Sequence, residues 1–327
     1  MANSKTIDDY RVQFVSHLAQ EIQSKEPKNL YEPINYILGL GGKRLRPVLT
    51  LMTTDLFGGK SKDAMNAALA VEMFHNFSLV HDDIMDDAPL RRGKTTVHEK
   101  WDINTGILSG DAMLINSYQF FESYPPNVFK ELISLFSRTA IEVCEGQQYD
   151  VDFESRDDVS IPEYLKMIEY KTAVLVAAAM KMGAIIANAP QEDANAIYDF
   201  GKNLGLAFQL QDDFLDAFGN PESFGKQVGG DIIENKKTFL VLKAIELAPK
   251  EQKEGLMHLY SIRPKEAASK IETVKSIFLE SGAVEETNIA ISDYTQKAFD
   301  ALNAINISES NKQVLKKFGE NLMKRTV

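Results

Sequence analysis

Cysteine is nearly absent from this 327-residue chain, and its scarcity excludes a disulfide-stabilised fold. Cys144 is the only cysteine, so no bond can form between two cysteines of one chain. This agrees with a reducing compartment. We expect Cys144 to behave as a small, buried hydrophobic residue.

Long apolar runs are also missing. No stretch reaches the roughly 20 uninterrupted apolar residues that a membrane-spanning helix needs. The N-terminal residues MANSKTIDDYRVQF lack the apolar segment of a signal peptide. We therefore expect no membrane span and a cytoplasmic protein.

The chain has no excess of positive charge. It carries 47 Asp and Glu against 36 Lys and Arg, a formal net charge of −11. Nucleic acids and anionic membranes attract basic surfaces, so neither is an expected partner. An anionic ligand would have to be met by local clusters of basic residues.

Alternating β-type patterns are scarce, and no Pro/Gly/Ser-rich linker divides the sequence. Helical spacing recurs instead at 7–22, 46–56, 64–85, 107–121, 128–151, 161–186, 193–215, 238–247 and in several segments beyond 252. Some helices, such as 173–187, are apolar nearly all round and must be buried by others. The length allows one large domain or two. Without a linker, we expect a single all-α domain over residues 1–327.

The first chemical signal is HDDIMDD at the end of an apolar helical segment. Asp82 and Asp86 lie one helical turn apart on the same face, with Asp83 about 100° to one side. Clustered carboxylates raise one another's pKa unless cations neutralise them. Mg²⁺ is commonly bound by one or two carboxylates, with substrate phosphate oxygens and waters completing its shell. Taken alone, the pattern fits a solvated acidic helix end at least as well.

Basic residues surround this acidic cluster in sequence. The glycine loop LGLGG leads directly into Lys43, Arg44 and Arg46, and with the N–H groups of the next helix it could bind a diphosphate. A basic surface turn is an equally open interpretation. His75 lies two turns before Asp82 on nearly the same face, although a lone histidine is more often a core residue. Arg91 and Arg92 precede Gly93 in a loop that can fold back over a ligand.

The second half of the chain repeats the acidic pattern. FQLQDDFLD places Asp212 and Asp216 on one helical face, 130 residues after the first pair. Weaker signals precede it, with Gln147 and Asp150 on one face and Lys171-Thr172 ahead of an apolar helix. FGKQVGGDIIENKKT follows, with cations at Lys226, Lys236 and Lys237. Two acidic pairs, each followed by cations, indicate several Mg²⁺ ions around one diphosphate.

Together these motifs resemble the trans-isoprenyl diphosphate synthases of the polyprenyl synthetase family. GGKRLRP, HNFSLVHDDIMDDAPLRRG, KT, FQLQDDFLD and GK…D…NKKT occur in the family's order over residues 41–238. The resemblance implies an all-α homodimer, each chain a large helical bundle of the isoprenoid synthase type around a central active-site cavity. It also implies that the two aspartate motifs face each other near the cavity mouth.

The resemblance also implies a role for each matched residue. It predicts that several Mg²⁺ ions are bound, with Asp82, Asp86 and Asp212 as their main ligands. Supporting carboxylates are Asp83, Asp150 and Asp216. The diphosphate of isopentenyl diphosphate would bind Lys43, Arg46, His75 and Arg92. The allylic diphosphate would bind Arg91, Lys171, Thr172, Gln209, Lys226 and Lys236. Direct catalytic roles fall to Asp82, Asp86, Arg91, Lys171, Asp212 and Lys226. Asn235 departs from the Gly that many bacterial members carry at that position.

The implied reaction joins isopentenyl diphosphate to an allylic diphosphate and releases diphosphate. Phe77, five residues before Asp82, and Phe74 are candidates for the floor that limits product length, while Ser78 leaves room beside them. We predict a C15 to C20 product, leaning to geranylgeranyl diphosphate. In the alternative interpretation, both phenylalanines are ordinary core residues.

Other classes fit the sequence less well. A synthase of C30 or longer products would share all the motifs. A terpene cyclase would share the first aspartate motif, but its second is typically of the NSE/DTE type rather than DDFLD. A non-catalytic synthase subunit would be expected to lack one of the two motifs. A metal-dependent phosphohydrolase is disfavoured because the five histidines are scattered.

Overall fold

The computed structural model describes residues 5–21, 23, 25–220, 228–264 and 266–324. The chain divides into two compact units. Unit 1 comprises Met1–Arg138 and Ala178–Asn195, and unit 2 comprises Thr139–Ala177 and Ala196–Val327.

Helices dominate both units. In the first half of the chain they are α1 (Ile7–Glu21), α2 (Lys28–Gly39), α3 (Leu45–Leu56), α4 (Met65–Met85), α5 (Val97–Lys100), α6 (Ile103–Gln119) and α7 (Pro126–Glu154). They continue with α8 (Ile161–Ile168), α9 (Val174–Ile186), α10 (Gln191–Phe218), α11 (Gly230–Glu234), α12 (Phe239–Leu247), α13 (Lys250–Leu259), α14 (Ala268–Glu280), α15 (Ala283–Ala304) and α16 (Glu309–Met323). Two 3₁₀ turns, Ser61–Ala64 and Phe120–Ser123, and one π turn, Glu169–Ala173, complete the helical structure.

The predicted all-α class is confirmed, and several short elements depart from the predicted segments. The helix predicted over 161–186 is interrupted by the π turn between α8 and α9. Helix α2 was not among the predicted segments. It contains Pro33, a residue type that normally argues against a helix interior.

Unit 1 is built on α4, whose residues are almost entirely buried. From residue 67 to residue 80, only His75, Ser78 and Leu79 are not fully buried. These three residues have i, i+3, i+4 spacing and therefore share one face of the helix. That accessible stripe leads directly toward Asp82, which is also half-buried.

Unit 2 has its own hydrophobic core. It is formed by side chains from helices α8, α10, α12 and α14 together with their neighbours, among them Tyr164, Leu210, Val241, Val274 and Phe278. Tyr164 is only 1% exposed and is one of the largest side chains in this core. Its hydroxyl must therefore find a partner inside the protein.

The strands that the structure describes form one short hairpin in unit 1. Strand β1 (Leu90–Arg91) pairs with β2 (Lys94–Thr95), with Leu90 opposite Thr95 and Arg91 opposite Lys94. The two linking residues both have positive φ, 54° at Arg92 and 72° at Gly93. Such two-residue turns match the natural twist of paired strands.

The structure bears on the expectations about membrane-spanning helices and about the burial of Cys144. Within the described part of the chain, no helix is long and apolar enough to cross a membrane. The expectation that Cys144 is buried was wrong, because Cys144 is exposed on α7. The apolar face of α7 is instead formed by neighbours such as Val143, which is 6% exposed.

Candidate active site

The first aspartate motif closes helix α4. The helix ends at Met85, and Asp86 caps it with its backbone N–H donating to the carbonyl oxygen of Asp82 at 2.9 Å. The helical turn thus extends through Asp86, which keeps the two side chains one turn apart. Asp82 is half-buried and Asp86 is exposed, so both can be reached by a ligand.

Asp83 lies on the other side of the helix and is 1% exposed. Arg91 of the hairpin donates to its Oδ1 from Nε at 2.9 Å and from Nη2 at 2.5 Å. A buried carboxylate is costly unless it is paired in this way. The pair ties the hairpin to the end of α4, which gives Asp83 a supporting position beside the motif.

Arg44 does not belong to the basic cluster that the sequence suggested after the glycine loop. Its side chain is buried and pairs with Glu72 of α4, and its guanidinium also donates to the carbonyl oxygen of Leu38. Asn76 donates to the same Glu72 carboxylate at 2.9 Å. The structure turns this cation inward, because Glu72 is only 2% exposed and needs a partner.

Arg46, His75 and Arg92 meet in unit 1. Arg46 Nη1 lies 3.4 Å from His75 Nε2, and the Arg92 guanidinium donates to the carbonyl oxygen of Gly41. Burial, followed by the positive charges of Arg46 and Arg92, holds the pKa of His75 well below its ordinary value. His75 is therefore neutral at pH 7 and adds no charge of its own to this cationic group. Lys43 lies exposed in the glycine loop beside it.

Glycine 42 is required where Arg92 approaches the loop. Its φ is +119°, a conformation that L side chains rarely adopt, and a Cβ there would lie 2.8 Å from Arg92 Cζ. The guanidinium therefore occupies the space that a side chain at position 42 would fill. The loop glycines fix the position of an arginine 50 residues later in the chain.

The predicted floor residues lie in an aromatic cluster below the accessible stripe of α4. Phe74 is 0% exposed and its ring centroid lies 5.4 Å from that of Phe77 and 5.3 Å from that of Phe136. Phe77 is 8% exposed and also contacts the His81 ring at 4.8 Å. Ser78 is half-buried and donates to the His75 carbonyl at 2.9 Å. Since Phe74 lies one turn below Ser78, the accessible stripe ends at an aromatic ring.

In unit 2, Lys171 and Thr172 lie in the π turn. Helix α7 approaches the turn at Gly146, where a Cβ would lie 2.2 Å from the Lys171 nitrogen. Helix α10 approaches at Gly205, where a Cβ would lie 2.9 Å from Ala173 Cα. Two glycines thus let two helix backbones pack against the turn. π turns are rare and are frequent at functional sites.

The π turn presents its two polar side chains to neighbouring helices. Lys171 Nζ donates to Asp150 Oδ2 of α7 at 2.5 Å, and Thr172 Oγ1 donates to Gln209 Oε1 of α10 at 3.2 Å. Lys171 and Asp150 side chains are 28% and 26% exposed, so the pair remains within reach of a ligand. The structure brings together three of the predicted allylic-diphosphate residues in this unit.

Gln209 is held in place by a carboxylate that the sequence did not single out. Its amide donates to Asp213 Oδ1 at 2.8 Å, and the Tyr164 hydroxyl donates to Asp213 Oδ2 at 2.5 Å. Burial raises the pKa of Asp213. The i, i+4 spacing of Gln209 and Asp213 could have indicated this pairing, whereas nothing in the sequence pointed to Tyr164.

The second aspartate motif also organises the segment that follows it. Asp216 Oδ2 accepts from the Asp231 backbone N–H at 2.9 Å and so caps α11. Lys236 lies just after α11, with Nζ 3.2 Å from Glu234 and 3.8 Å from Asp231. Although burial opposes it, the charges of Asp231 and Glu234 raise the pKa of Lys236. Asp212, one turn before Asp216 on α10, is half-buried.

The departure at Asn235 has a simple physical basis. This residue ends α11 with φ +64°, in the left-handed region that glycine and asparagine adopt most readily. An asparagine can therefore replace a glycine there without changing the backbone. Its side chain accepts a hydrogen bond from Lys270 of α14. The predicted Lys226 lies outside the described residues.

The chain is similar to a known protein family and to several characterised proteins. The family model described as Polyprenyl synthetase matches residues 27–278. A short chain isoprenyl diphosphate synthase of Methanothermobacter thermautotrophicus is 37% identical over 295 residues, which cover 90% of each chain. A geranylgeranyl diphosphate synthase of Sulfolobus acidocaldarius is 36% identical over 299 residues, again covering 90% of each chain.

Among solved structures, a crystal structure of geranylgeranyl pyrophosphate synthase matches with a TM-score of 0.95 at 55% identity. The match covers 99% of this chain and 100% of that one. The resemblance inferred from the motifs, the all-α fold and the enzyme class, a prenyltransferase, are confirmed. The chain belongs to the polyprenyl synthetase family.

Proposed function

We propose that this enzyme condenses isopentenyl diphosphate head to tail with an allylic diphosphate, and that its product is geranylgeranyl diphosphate. The observation that carries the proposal is the group formed by Arg46, His75 and Arg92 beside the accessible face of α4 that ends in Asp82 and Asp86. The names of the similar proteins, geranylgeranyl synthases among them, support the short product.

The carboxylates suit Mg²⁺. Asp82 and Asp86 offer hard oxygen donors from one helical face, both accessible, at a helix end where phosphate oxygens and water can complete the shell. We assign Asp82, Asp86 and Asp212 as its ligands, with Asp83, Asp150 and Asp216 in support. When bound, Mg²⁺ would stabilise the negative charge that builds on the departing diphosphate.

The cations of unit 1 would bind the diphosphate of isopentenyl diphosphate. Arg46 and Arg92 supply guanidinium groups that can donate two hydrogen bonds each to phosphate oxygens, and Lys43 adds a flexible ammonium. His75, kept neutral by burial and by these cations, can donate one hydrogen bond without adding to their mutual repulsion. By binding the diphosphate, this arrangement would position the double bond at the other end of isopentenyl diphosphate.

The polar residues of unit 2, together with Arg91, would bind the allylic diphosphate. Lys171 and Lys236 carry the charge, while Thr172 and Gln209 contribute hydrogen-bonding groups. Lys226 is assigned the same role. Lys171 and Lys236 are each paired with a carboxylate, so an arriving diphosphate would find these two ammonium groups already oriented.

The reaction follows from these charges. As the allylic C–O bond breaks, negative charge moves onto the diphosphate oxygens, where Lys171 and Arg91 stabilise it. The remaining allylic carbocation is attacked by the double bond of isopentenyl diphosphate, forming the new C–C bond. A proton then leaves the adjacent carbon for the released diphosphate, and the product is an allylic diphosphate five carbons longer. Binding both substrates side by side replaces a bimolecular encounter.

The product length would be limited by the aromatic residues below Ser78. The growing chain would extend along the accessible stripe of α4 and stop at Phe77, with Phe74 behind it. Both rings are packed against other aromatic side chains, which makes them a rigid stop.

We also propose that the enzyme is a cytoplasmic, single-domain protein that forms a homodimer. The exposed apolar side chains of α6 support the dimer, since Leu108 and Ile115 are each 60% exposed and lie two turns apart on one face. Helices α7, α9 and α10 each contribute residues to both units, which supports a single domain. Size-exclusion chromatography with light scattering would test the dimer.

The proposed reaction is tested by incubating the protein with labelled isopentenyl diphosphate, Mg²⁺ and each of dimethylallyl, geranyl and farnesyl diphosphate. The product chain length is determined after phosphatase treatment. A discrete C20 alcohol is expected. A product of C30 or longer would refute the proposed floor, and an absence of elongation would refute the condensation itself.

A further inference from the structure

Three residues that have no assigned part in the proposed reaction, Asp87, His98 and Glu99, lie together near the base of the hairpin. The strand register pairs position 90 with 95 and position 91 with 94. The pairing continues through residues 89 and 96, and helix α5 then begins at Val97, so His98 and Glu99 lie just beyond the base of the hairpin. Hydrogen bonds show that the pairing does continue, because Thr96 donates to Pro89 from its backbone N–H at 3.1 Å and to Ala88 from its hydroxyl at 2.8 Å.

His98 is buried there without a hydrogen-bond partner. Its side chain is 4% exposed. Neither Nδ1 nor Nε2 makes a hydrogen bond to any residue that the structure describes. A buried polar group normally has a partner, so an unpaired imidazole at a defined position indicates a missing ligand. Its Nε2 lies 3.8 Å from Glu99 Oε1, beyond hydrogen-bond distance.

Asp87 and Glu99 complete a three-residue donor set with this histidine. One ligand atom from each of the three residues lies within 4.8 Å of the others. Two ligands of a tetrahedral ion with bonds of about 2.1 Å lie roughly 3.4 Å apart, so a small rotation of the Glu99 side chain closes the observed gap. Asp87 and Glu99 are exposed, which leaves the ion an entry path.

We propose that Asp87, His98 and Glu99 bind a divalent transition-metal ion such as Zn²⁺. One imidazole nitrogen and two carboxylates suit Zn²⁺ or Co²⁺, whereas Mg²⁺ prefers an all-oxygen shell. The site is therefore chemically distinct from the pair formed by Asp82 and Asp86. Its occupant would join the two ends of the segment that carries Arg91 and Arg92, and so hold the hairpin closed.

The test is metal binding by the apoprotein without any substrate, so its outcome does not depend on prenyl transfer. Co²⁺ is titrated into the chelator-treated protein, carrying Cys144→Ser to remove the exposed thiol, and absorption in the visible range is recorded. In millimolar Mg²⁺, which occupies the aspartate motifs, one Co²⁺ per chain with bands of a low-coordinate nitrogen–oxygen site is expected, and Zn²⁺ should displace it.

The variants Asp87→Asn and Glu99→Gln preserve shape and lie at exposed positions, and asparagine tolerates the positive φ of 48° at position 87. Each should weaken Co²⁺ binding by at least about tenfold and abolish the rise in Tm that Zn²⁺ produces. Glu131→Gln, at an exposed carboxylate of α7, and Asp82→Ala should leave both properties unchanged. Unchanged binding in the first two variants, or its loss in Asp82→Ala, would overturn the proposal.

Discussion

Replacing Gly42 with alanine tests how the glycine loop positions Arg92. Two effects are expected from the structure. The backbone at φ +119° is strained by any side chain, and the new Cβ would lie 2.8 Å from Arg92 Cζ. Because the neighbour is the end of a flexible side chain, the clash is relieved by moving the guanidinium rather than the backbone.

The two effects have different magnitudes and different readouts. The backbone strain should lower the free energy of unfolding by about 1–3 kcal/mol. To reach an ordinary carbon–carbon contact of about 3.5–4 Å, the guanidinium must move by about 1 Å. A displacement of that size at a substrate-positioning group can cost on the order of 10²-fold in rate. We therefore expect kcat/KM for isopentenyl diphosphate to fall by about 10- to 100-fold.

Gly58→Ala is the matched control. Its φ is +86° and a Cβ there would meet nothing within 4 Å, so it carries the backbone strain alone. Urea unfolding should show similar destabilisation in both variants. Steady-state kinetics with labelled isopentenyl diphosphate should show the loss only in Gly42→Ala, with little change in KM for the allylic substrate. Equal kinetics in the two variants would refute the proposed link between the loop, Arg92 and the substrate.

Three further predictions concern helix α4. Asp82→Ala should lower kcat by roughly 10²-fold or more at an unchanged far-UV spectrum, since it removes stabilisation made mainly in the transition state; near-normal turnover would contradict its assignment. Phe77→Ala should lengthen the products separated after phosphatase treatment, while costing about 3–5 kcal/mol of stability; unchanged lengths would reject Phe77 as the floor. In His75→Gln, the free energy of unfolding should fall less steeply than in the wild type as the pH drops below about 6.5. Below about pH 6.5 an unfolded histidine binds a proton, whereas folded His75, with its lowered pKa, does not. The free energy of unfolding of the wild type therefore falls by up to about 1.4 kcal/mol for each pH unit below that value. Equal slopes in urea titrations of the two proteins would contradict the burial of a neutral His75.

The helices were predictable where the sequence pattern is local. Helix α4 begins at Met65 and ends at Met85, within one residue of the segment predicted from its apolar composition and from Pro89. The placement of Asp82 and Asp86 on one helical face was predictable as well, because residues four apart in a helix lie one turn apart. Their roles as metal ligands stay a prediction.

The inward turn of Arg44 and the π turn could not be predicted. Arg44 is buried by Glu72, a residue 28 positions later on another helix, so its direction depends on tertiary packing. The π turn depends on the close approach of two helix backbones at Gly146 and Gly205. Neither contact leaves a periodic pattern in the residues that it affects, and the same holds for the hydrogen bond from Tyr164 to Asp213.

The π turn has a consequence for how the helix after it packs. An inserted residue rotates everything beyond it by about 100° around the helix axis, which would expose the core face of an ordinary amphipathic helix. From Val174 to Ile185, however, only Lys181 is not fully buried. The helix therefore has no solvent-facing side that a rotation could turn into the core. A rotation of α9 would therefore expose no apolar face to water, but it would remove Gly183 from its position, where a Cβ would lie 2.5 Å from the Thr50 carbonyl oxygen. For α9, the rotational phase set by the π turn therefore matters for side-chain packing and not for solvent exposure.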